Sequence, residues 1–259
     1  MAGSGTQRLA LGVAYDGRRW QGWQSQPGGR TVQDRLEQAL AAFATVPVRT
    51  VCAGRTDAGV HALNQVVHFC APVRRDDFSW VRGVNRYLDA DIAVQWCREM
   101  PPDFHARNSA RGRRYRYLLL ESPVRPALEA GRCGWTFRPL DGPAMQQAAQ
   151  HLLGEHDFSA FRAAECQSNS PVRRIDHLTV QRAGELVYID VAANAFLHHM
   201  VRNIAGLLIE VGRGLRGADE VKTLLEGRDR RRNAPTADPE GLCLQRIEYP
   251  EAFGLPDPV

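Results

Sequence analysis

Alternating apolar and polar positions along the chain predict most of its β-strands. Leu9, Leu11, Val13 and Tyr15 alternate with small residues, as in a strand with one buried face. A turn at Asp16-Gly17 ends this strand. The same pattern predicts further strands at 46–53, 65–72, 92–98, 113–120, 172–182, 186–195 and 242–247.

Apolar residues at helical spacing separate these strands. Val32, Leu36, Ala39, Leu40 and Phe43 form one face of a helix that Thr31 and Asp34 cap. Similar signals predict helices at 76–88, within 139–153, at 197–211 and at 218–225. We therefore predict an α+β fold: two α/β-sandwich lobes, residues 1–105 and 106–259, that share one continuous mixed, largely antiparallel sheet with helices packed on it.

Composition narrows the class of protein. Of 259 residues, 44% are hydrophobic and 24% are charged, as in soluble globular proteins. No apolar run reaches the roughly 18 residues of a membrane span, and positions 1–7 lack a signal-peptide core. Six scattered cysteines form no C-x-x-C pair, which predicts buried, reduced thiols in the cytoplasm.

Arginine dominates the positive charge. Of the 33 Lys and Arg residues, Lys222 is the single lysine. A genome rich in G and C would produce this bias without any function, although Arg also suits bidentate phosphate contact. Five arginines fall between 107 and 116, and period two puts Tyr115 and Tyr117 on one face with Arg113, and Arg114 and Arg116 on the other. This pattern favours a nucleic-acid platform over a solvated edge strand.

The stretch from Gly54 to Ala62 carries the strongest catalytic candidate. Two glycines bracket Arg55-Thr56-Asp57 between two apolar runs, so a turn could present the Asp57 carboxylate with a guanidinium nearby. The alternative is an ordinary turn whose aspartate caps its own backbone.

Three other patterns carry weaker signals. Residues 212–217 fit G-x-G-x-x-G but follow a helical period, which favours helix punctuation. His198 and His199 would point about 100° apart on a helix and form no metal pair, and His61 and His68 are isolated. We predict no metal site. Residues 155–157, Glu-His-Asp, fit either acid–base chemistry or a polar turn.

Several long motifs together resemble the tRNA pseudouridine synthase A family. They are residues 54–62 (GRTDAGVHA), 104–107 (FHAR), 113–117 (RRYRY), 166–168 (CQS) and 193–203 (ANAFLHHMVRN), and the resemblance runs from about Leu9 to Ile247. Asn108 departs from the pattern, where an aromatic residue is expected.

The resemblance implies an activity and roles for individual residues. It implies conversion of uridine to pseudouridine at positions 38, 39 and 40 of the tRNA anticodon stem-loop, without cofactor or metal, by a cytoplasmic homodimer with a basic central cleft. Asp57 is then the essential carboxylate and nucleophile, Arg202 pairs with it, and Tyr115 stacks on the target base. The implied RNA contacts besides Tyr115 are Arg55, His61, Arg107, Arg113 and Arg114.

The chemistry leaves several readings open. The carboxylate could attack the sugar or the base, or act as a base at the sugar. A non-catalytic RNA chaperone would use the same Arg-Tyr strand but would leave Asp57 without a role. A base-releasing glycosidase would need a second carboxylate, Glu155 or Asp157. The catalytic reading predicts one cleft that contains Asp57, Tyr115 and Arg202.

Overall fold

The computed structural model of the protein describes residues 7–257, and these form two units. The first unit runs to Arg111 and resumes at Leu244, and the second comprises Gly112–Cys243. The division lies six residues after the predicted one. The C-terminal segment returns to the first unit, where Arg111 N–H donates to the Glu248 carbonyl at 2.7 Å. The polar positions 1–6, where no signal peptide is predicted, lie outside the described residues.

The first unit is a sheet with two helices. Its elements are β1 (Gln7–Tyr15), α1 (Val32–Ala44), β2 (Val51–Cys52), β3 (His61–Ala71), α2 (Asp77–Asn85), β4 (Ile92–Glu99) and, from Leu244 on, β10 (Leu242–Glu248). The strand order is β4-β1-β3-β10, with β2 paired to β3. β1 is antiparallel to both β3 and β4.

The sheet of the first unit is covered on both faces. On β3, Phe69 contacts Trp80 of α2 at 5.2 Å between ring centroids, and the preceding residue His68 contacts Phe104 at 6.1 Å. Neighbours on a strand point to opposite faces. In β1 even Ala10, on the face predicted to be exposed, is buried. The prediction that β1 is a half-buried strand is therefore wrong.

The strand predicted at 46–53 is much shorter in the structure. The strand β2 is limited to Val51–Cys52, which pair with β3, and Ala53 N–H adds one bond to the Val66 carbonyl at 2.8 Å. Side chains of α1 bind the backbone just before it: Glu37 Oε1 accepts from Thr50 N–H at 2.8 Å, and Gln33 Nε2 donates to the Thr50 carbonyl at 3.3 Å. Pro47 also lacks the N–H that a ladder needs.

The second unit is a mixed sheet with three helices. Its elements are β5 (Gly112–Glu121), β6 (Gly134–Thr136), α3 (Gly142–Gln150), β7 (Gly154–Asp157), β8 (Val172–Ala183), β9 (Leu186–Ala193), α4 (Met200–Gly212) and α5 (Glu220–Gly227). The order β5-β9-β8-β7 is antiparallel, and β6 runs parallel to β5. Both units thus confirm the predicted α+β class.

The predicted patterns of β5 and α4 hold well. Tyr115, Tyr117 and Leu119 alternate on the buried face of β5. The G-x-G-x-x-G stretch is helix punctuation, as predicted, since Gly212 ends α4 and Gly214 has φ 70°.

Membrane and thiol predictions have different outcomes. Within residues 7–257 no helix is both long and apolar enough to cross a bilayer. All six cysteines are free thiols, and four of them are buried. Cys70, near the end of β3, is exposed and Cys243 is half-buried, so the prediction of buried thiols is wrong for these two.

A buried histidine links the sheet of the first unit to the loop that carries Arg107. His68 Nδ1 accepts from Ala106 N–H at 3.1 Å. Burial, together with the positive charges of His105 and Arg8, lowers the pKa of His68 to about 4. The neutral ring is therefore the form that fits the folded protein.

Acid should destabilise the first unit through His68. The unfolded chain takes up this proton near pH 6.5 and the folded chain only near pH 4, so unfolding free energy is lost as pH falls between the two. We expect a loss of about 2 kcal/mol between about pH 7.5 and about pH 5, measured by urea unfolding. His68→Gln keeps an acceptor that does not titrate. An equal loss in this variant would assign the effect to other groups.

Candidate catalytic site

The Asp57 side chain is half-buried at a tight turn of the first unit. Val60 N–H donates to the Asp57 carbonyl at 3.2 Å, and Gly59 has φ 80°, which favours glycine. The other bracketing glycine, Gly54, does not have a positive φ and has open space around it. Only one of the two glycines is thus required by backbone conformation.

A second loop fixes the backbone on both sides of Asp57. The Thr56 carbonyl accepts from Trp23 N–H at 3.0 Å, and the buried hydroxyl of Thr56 lies 2.8 Å from the Tyr15 hydroxyl. After Asp57, Gly59 N–H donates to the Trp20 carbonyl at 3.4 Å. The turn is therefore anchored before and after the carboxylate. We call residues 20–23 the clamp loop.

Glycine at position 22 lets the clamp loop approach. Its φ is 85°, and a Cβ there would lie 2.6 Å from the Thr56 carbonyl oxygen and 3.0 Å from the Asp57 carbonyl carbon. Contacts this short do not occur between a Cβ and backbone atoms, so any other residue would displace the turn.

Two of the predicted RNA-binding arginines lie around one thiol of the first unit. Burial raises the pKa of Cys52, while the guanidinium groups of Arg107 and Arg55 act in the opposite direction. Both arginines are exposed. Asn108, the departure from the family pattern, is also exposed, and its N–H donates to His105 Nδ1 at 3.2 Å.

His61, predicted to contact RNA, helps to hold the turn. Its Nδ1 accepts from Gly17 N–H at 3.1 Å. A Cβ at Gly17 would lie 2.1 Å from the Val60 carbonyl oxygen. The ring side chain is 12% exposed. A direct RNA contact by His61 stays a prediction.

In the second unit, Tyr115 has an aromatic neighbour. Its ring meets Phe196 edge-on, with centroids 5.2 Å apart and planes at 88°. Beside it, Arg113 Nη1 donates to the Asn194 carbonyl at 3.0 Å. Asn194 Oδ1 in turn accepts from Arg174 N–H at 3.1 Å. The segment that supports Tyr115 is thus itself fixed by hydrogen bonds.

The two arginines on the outer face of β5 differ in their surroundings. Arg116 makes a bidentate pair with Asp190, at 2.7 and 2.9 Å, and lies over the Tyr188 ring at 5.1 Å. Arg114 is exposed on the same face. Asp190 therefore neutralises one of the two cations that the sequence places on this face.

Arg202, in the first turn of α4, is held by a distant segment. Its Nε donates to the Ala237 carbonyl at 2.8 Å, and Ala237 N–H donates to the Arg202 carbonyl at 3.1 Å. Burial raises the pKa of Tyr117, with Asp238 acting in the same direction and Arg202 against it. The guanidinium group thus lies near the tyrosine face of β5.

The two adjacent histidines precede α4. The helix begins at Met200, and His199 is its N-cap with φ 61°. The rings lie side by side, with centroids 4.0 Å apart, so the predicted 100° divergence on a helix is wrong. His198 N–H donates to Cys166 Sγ at 3.4 Å. This bond joins two of the recognised motifs, 166–168 and 193–203.

The division of the predicted site residues follows the two units. Arg55, Asp57, His61 and Arg107 belong to the first, and Arg113, Arg114, Tyr115 and Arg202 to the second. The clamp loop was not predicted from the sequence, although Gly22 between Trp20 and Trp23 was a usable signal.

The sequence profile of a family described as tRNA pseudouridine synthase matches residues 12–108 and 148–250. The chain belongs to the tRNA pseudouridine synthase family. Membership makes it a pseudouridine synthase, an isomerase that modifies tRNA. The matched ranges include Asp57 and Arg202, whereas Tyr115 lies in the interval between them.

Similar proteins support the same family over almost the whole chain. A tRNA pseudouridine synthase A of Methylibium petroleiphilum is 61% identical over 250 residues, which cover 96% of each chain. That of Polaromonas sp. JS666 is 55% identical over 254 residues, again 96% of each. That of Bordetella parapertussis is 56% identical over 250 residues, 96% of this chain and 93% of the relative.

One solved structure, a Cbf5-Nop10-Gar1 complex, aligns with a TM-score of 0.38 at 12% identity, over 91% of this chain and 48% of that one. Likeness at this level supports no inference about the chain.

Proposed function

We propose that this synthase converts uridine to pseudouridine at positions 38, 39 and 40 of the tRNA anticodon stem-loop, in the cytoplasm and without cofactor or metal. The reaction breaks the bond between N1 and C1′, turns the uracil and joins C5 to C1′. The C5 proton is released and N1 takes up a proton, so the product is an isomer of the substrate. The substrate position rests on the recognised motifs and on relatives called tRNA pseudouridine synthase A.

The anchored turn at Asp57 is the observation that supports this proposal most directly. Its backbone is hydrogen-bonded to the clamp loop before and after a half-buried carboxylate. Catalysis requires the reacting atom to be held in place before substrate arrives. An ordinary surface aspartate would not need two anchors. We therefore assign Asp57 as the nucleophile.

We propose that Tyr115 and Arg202 act on the same uridine as Asp57. A base taken out of its stack needs an aromatic face to replace the lost stacking, and Tyr115 supplies one. Arg202 is always charged, so it favours the ionised carboxylate that covalent catalysis needs. Arg55, Arg107, Arg113 and Arg114 would bind phosphate, with His61 beside them.

The glycosidase alternative has less support. Asp157 accepts from Ser159 N–H at 2.9 Å and lies 3.3 Å from Arg228. Burial would raise the pKa of Asp157, but these bonds and the Arg228 charge outweigh burial and lower it. A general acid needs the opposite shift. Glu155 is exposed at the edge strand β7.

One assay separates the candidate functions. The chain is incubated with tRNA that carries tritium at uridine C5. An isomerase releases the label as water and leaves the strand and its bases intact. A glycosidase frees uracil, and an RNA chaperone produces neither; either result would overturn the proposal. Mapping the pseudouridines then tests positions 38 to 40.

We also propose that the synthase is a homodimer. Four large apolar side chains between 124 and 137 are exposed, Val124 by 72%, Leu128 by 87%, Trp135 by 37% and Phe137 by 58%. Apolar side chains close together on a surface mark interfaces. Light scattering should give twice the 28.9 kDa chain mass.

The double variant Val124→Asp with Leu128→Asp should yield the monomer mass. Phe78→Asp, at an exposed phenylalanine of the first unit, is the matched control and should leave the dimer intact. A wild-type monomer would contradict the proposal, and so would a double variant that remains dimeric.

A further inference from the structure

The side chain of Arg202 depends on a segment 35 residues away in the chain. Ala237 accepts from Arg202 Nε and donates to the Arg202 carbonyl, so its main chain binds the same residue twice. Any shift of Ala237 would move the guanidinium group with it. What fixes Ala237 therefore decides where Arg202 points.

A half-buried polar network holds the residues just before Ala237. Arg230 donates from Nη1 to the Ala234 carbonyl at 2.9 Å and from Nη2 to the Thr236 hydroxyl at 3.0 Å. It also donates to Asn203 Oδ1 at 3.0 Å, and the Thr236 hydroxyl donates to that same oxygen at 2.7 Å. The network thus ties the residue after Arg202 to the residue before Ala237.

The network is also anchored at Asn203, the end that lies on α4. Asn203 is fully buried, and its Nδ2 donates to the Phe161 carbonyl at 2.7 Å. A Cβ at Gly206 would lie 2.1 Å from the Pro235 carbonyl oxygen, so α4 and this segment are in close contact. The planar guanidinium fork of arginine can hold several oxygens in one fixed arrangement.

Arg230 is a charged residue in neutral, half-buried surroundings. These hydrogen bonds of Arg230 all end on neutral oxygens, and burial lowers its pKa. A half-buried cation without a carboxylate in its bonding set costs stability. Such a cost is common where a site must be held in one geometry.

We propose that Arg230, Asn203 and Thr236 are positioning residues for Arg202. They act by fixing residues 234–237, and through Ala237 they aim the guanidinium group. The inference rests on the role proposed above for Arg202. Residues 228–232 contain four arginines. Of these, Arg230 holds residues 234–237, whereas Arg231 pairs with Asp229 at 2.9 Å.

Thr236→Val tests this with almost no change of side-chain shape. It removes the hydroxyl that links Asn203 and Arg230 to the residue before Ala237. We expect kcat to fall about tenfold and KM for tRNA to change by less than about twofold. Thr236→Ser keeps the hydroxyl and should restore kcat. Thr179→Val, the same change on β8, should leave both constants as in the wild type.

A double-mutant cycle separates positioning from general structure. If Thr236 acts through Arg202, then Thr236→Val should lower kcat by less than about twofold in an Arg202→Lys background. An equal fall in both backgrounds, or a rise in KM alone, would overturn the inference. Should Thr236→Val fail to fold, Arg230→Gln takes its place in the same cycle. Full turnover in Arg202→Lys alone would instead refute the role proposed for Arg202.

Discussion

Replacing Asp57 with asparagine is expected to abolish pseudouridine formation while leaving tRNA binding nearly unchanged. The amide has almost the same shape but cannot form the covalent bond that we assign to the carboxylate. Loss of a nucleophile commonly costs enzymes several orders of magnitude, so tritium release should fall by at least about 10⁴-fold. The anchors at Thr56 and Gly59 involve backbone atoms and the Thr56 hydroxyl, so the turn should keep its shape.

The control for this variant removes a carboxylate elsewhere. Asp103→Asn, at an exposed position of the same unit, changes the net charge equally and should release tritium at the wild-type rate. Filter binding measures affinity for the tRNA in all three proteins. Lost binding in Asp57→Asn, or turnover near the wild-type rate, would remove Asp57 from the catalytic role.

Patterns that depend on near neighbours could be predicted from the sequence. The period of two on β5 placed Tyr115 and Tyr117 on one face, which the structure confirms, but it did not predict that both rings are buried. The helical stripe predicted α4, and the glycine run after it was correctly predicted as its end. In each case the signal lies within about a dozen residues, where backbone periodicity decides the outcome.

Features that depend on distant partners could not be predicted. The strand expected at 46–53 is shortened because Glu37 binds the backbone of Thr50 from α1. Nothing in the local pattern shows which side chain will compete for that N–H. The fates of Arg116 and Arg230 are similar, since Asp190 binds one and Asn203 the other. The sequence gives the number of cations, but the fold is needed to show which of them are bound to other residues of the protein.

The clamp loop provides the sharpest test that catalysis depends on the geometry of the turn at Asp57. In Gly22→Ala, a Cβ would lie 2.6 Å from the Thr56 carbonyl oxygen and close to the main chain of Asp57 and Ala58. The turn must move, although every group proposed to react is still present. A displacement of about 1 Å can cost about 100-fold in rate, so we expect tritium release to fall by about that factor.

Gly29→Ala is the matched control, because Gly29 lies in the same loop region with φ 67° but has nothing within 4 Å of its added Cβ. Both variants incur the cost of a left-handed alanine, about 1 kcal/mol, and both thermal midpoints should fall slightly. Only Gly22→Ala also displaces the carboxylate. If the two variants lose activity equally, backbone strain explains the loss and the clamp does not position Asp57. If Gly22→Ala keeps its rate while remaining folded, the turn tolerates displacement and the anchors serve stability alone.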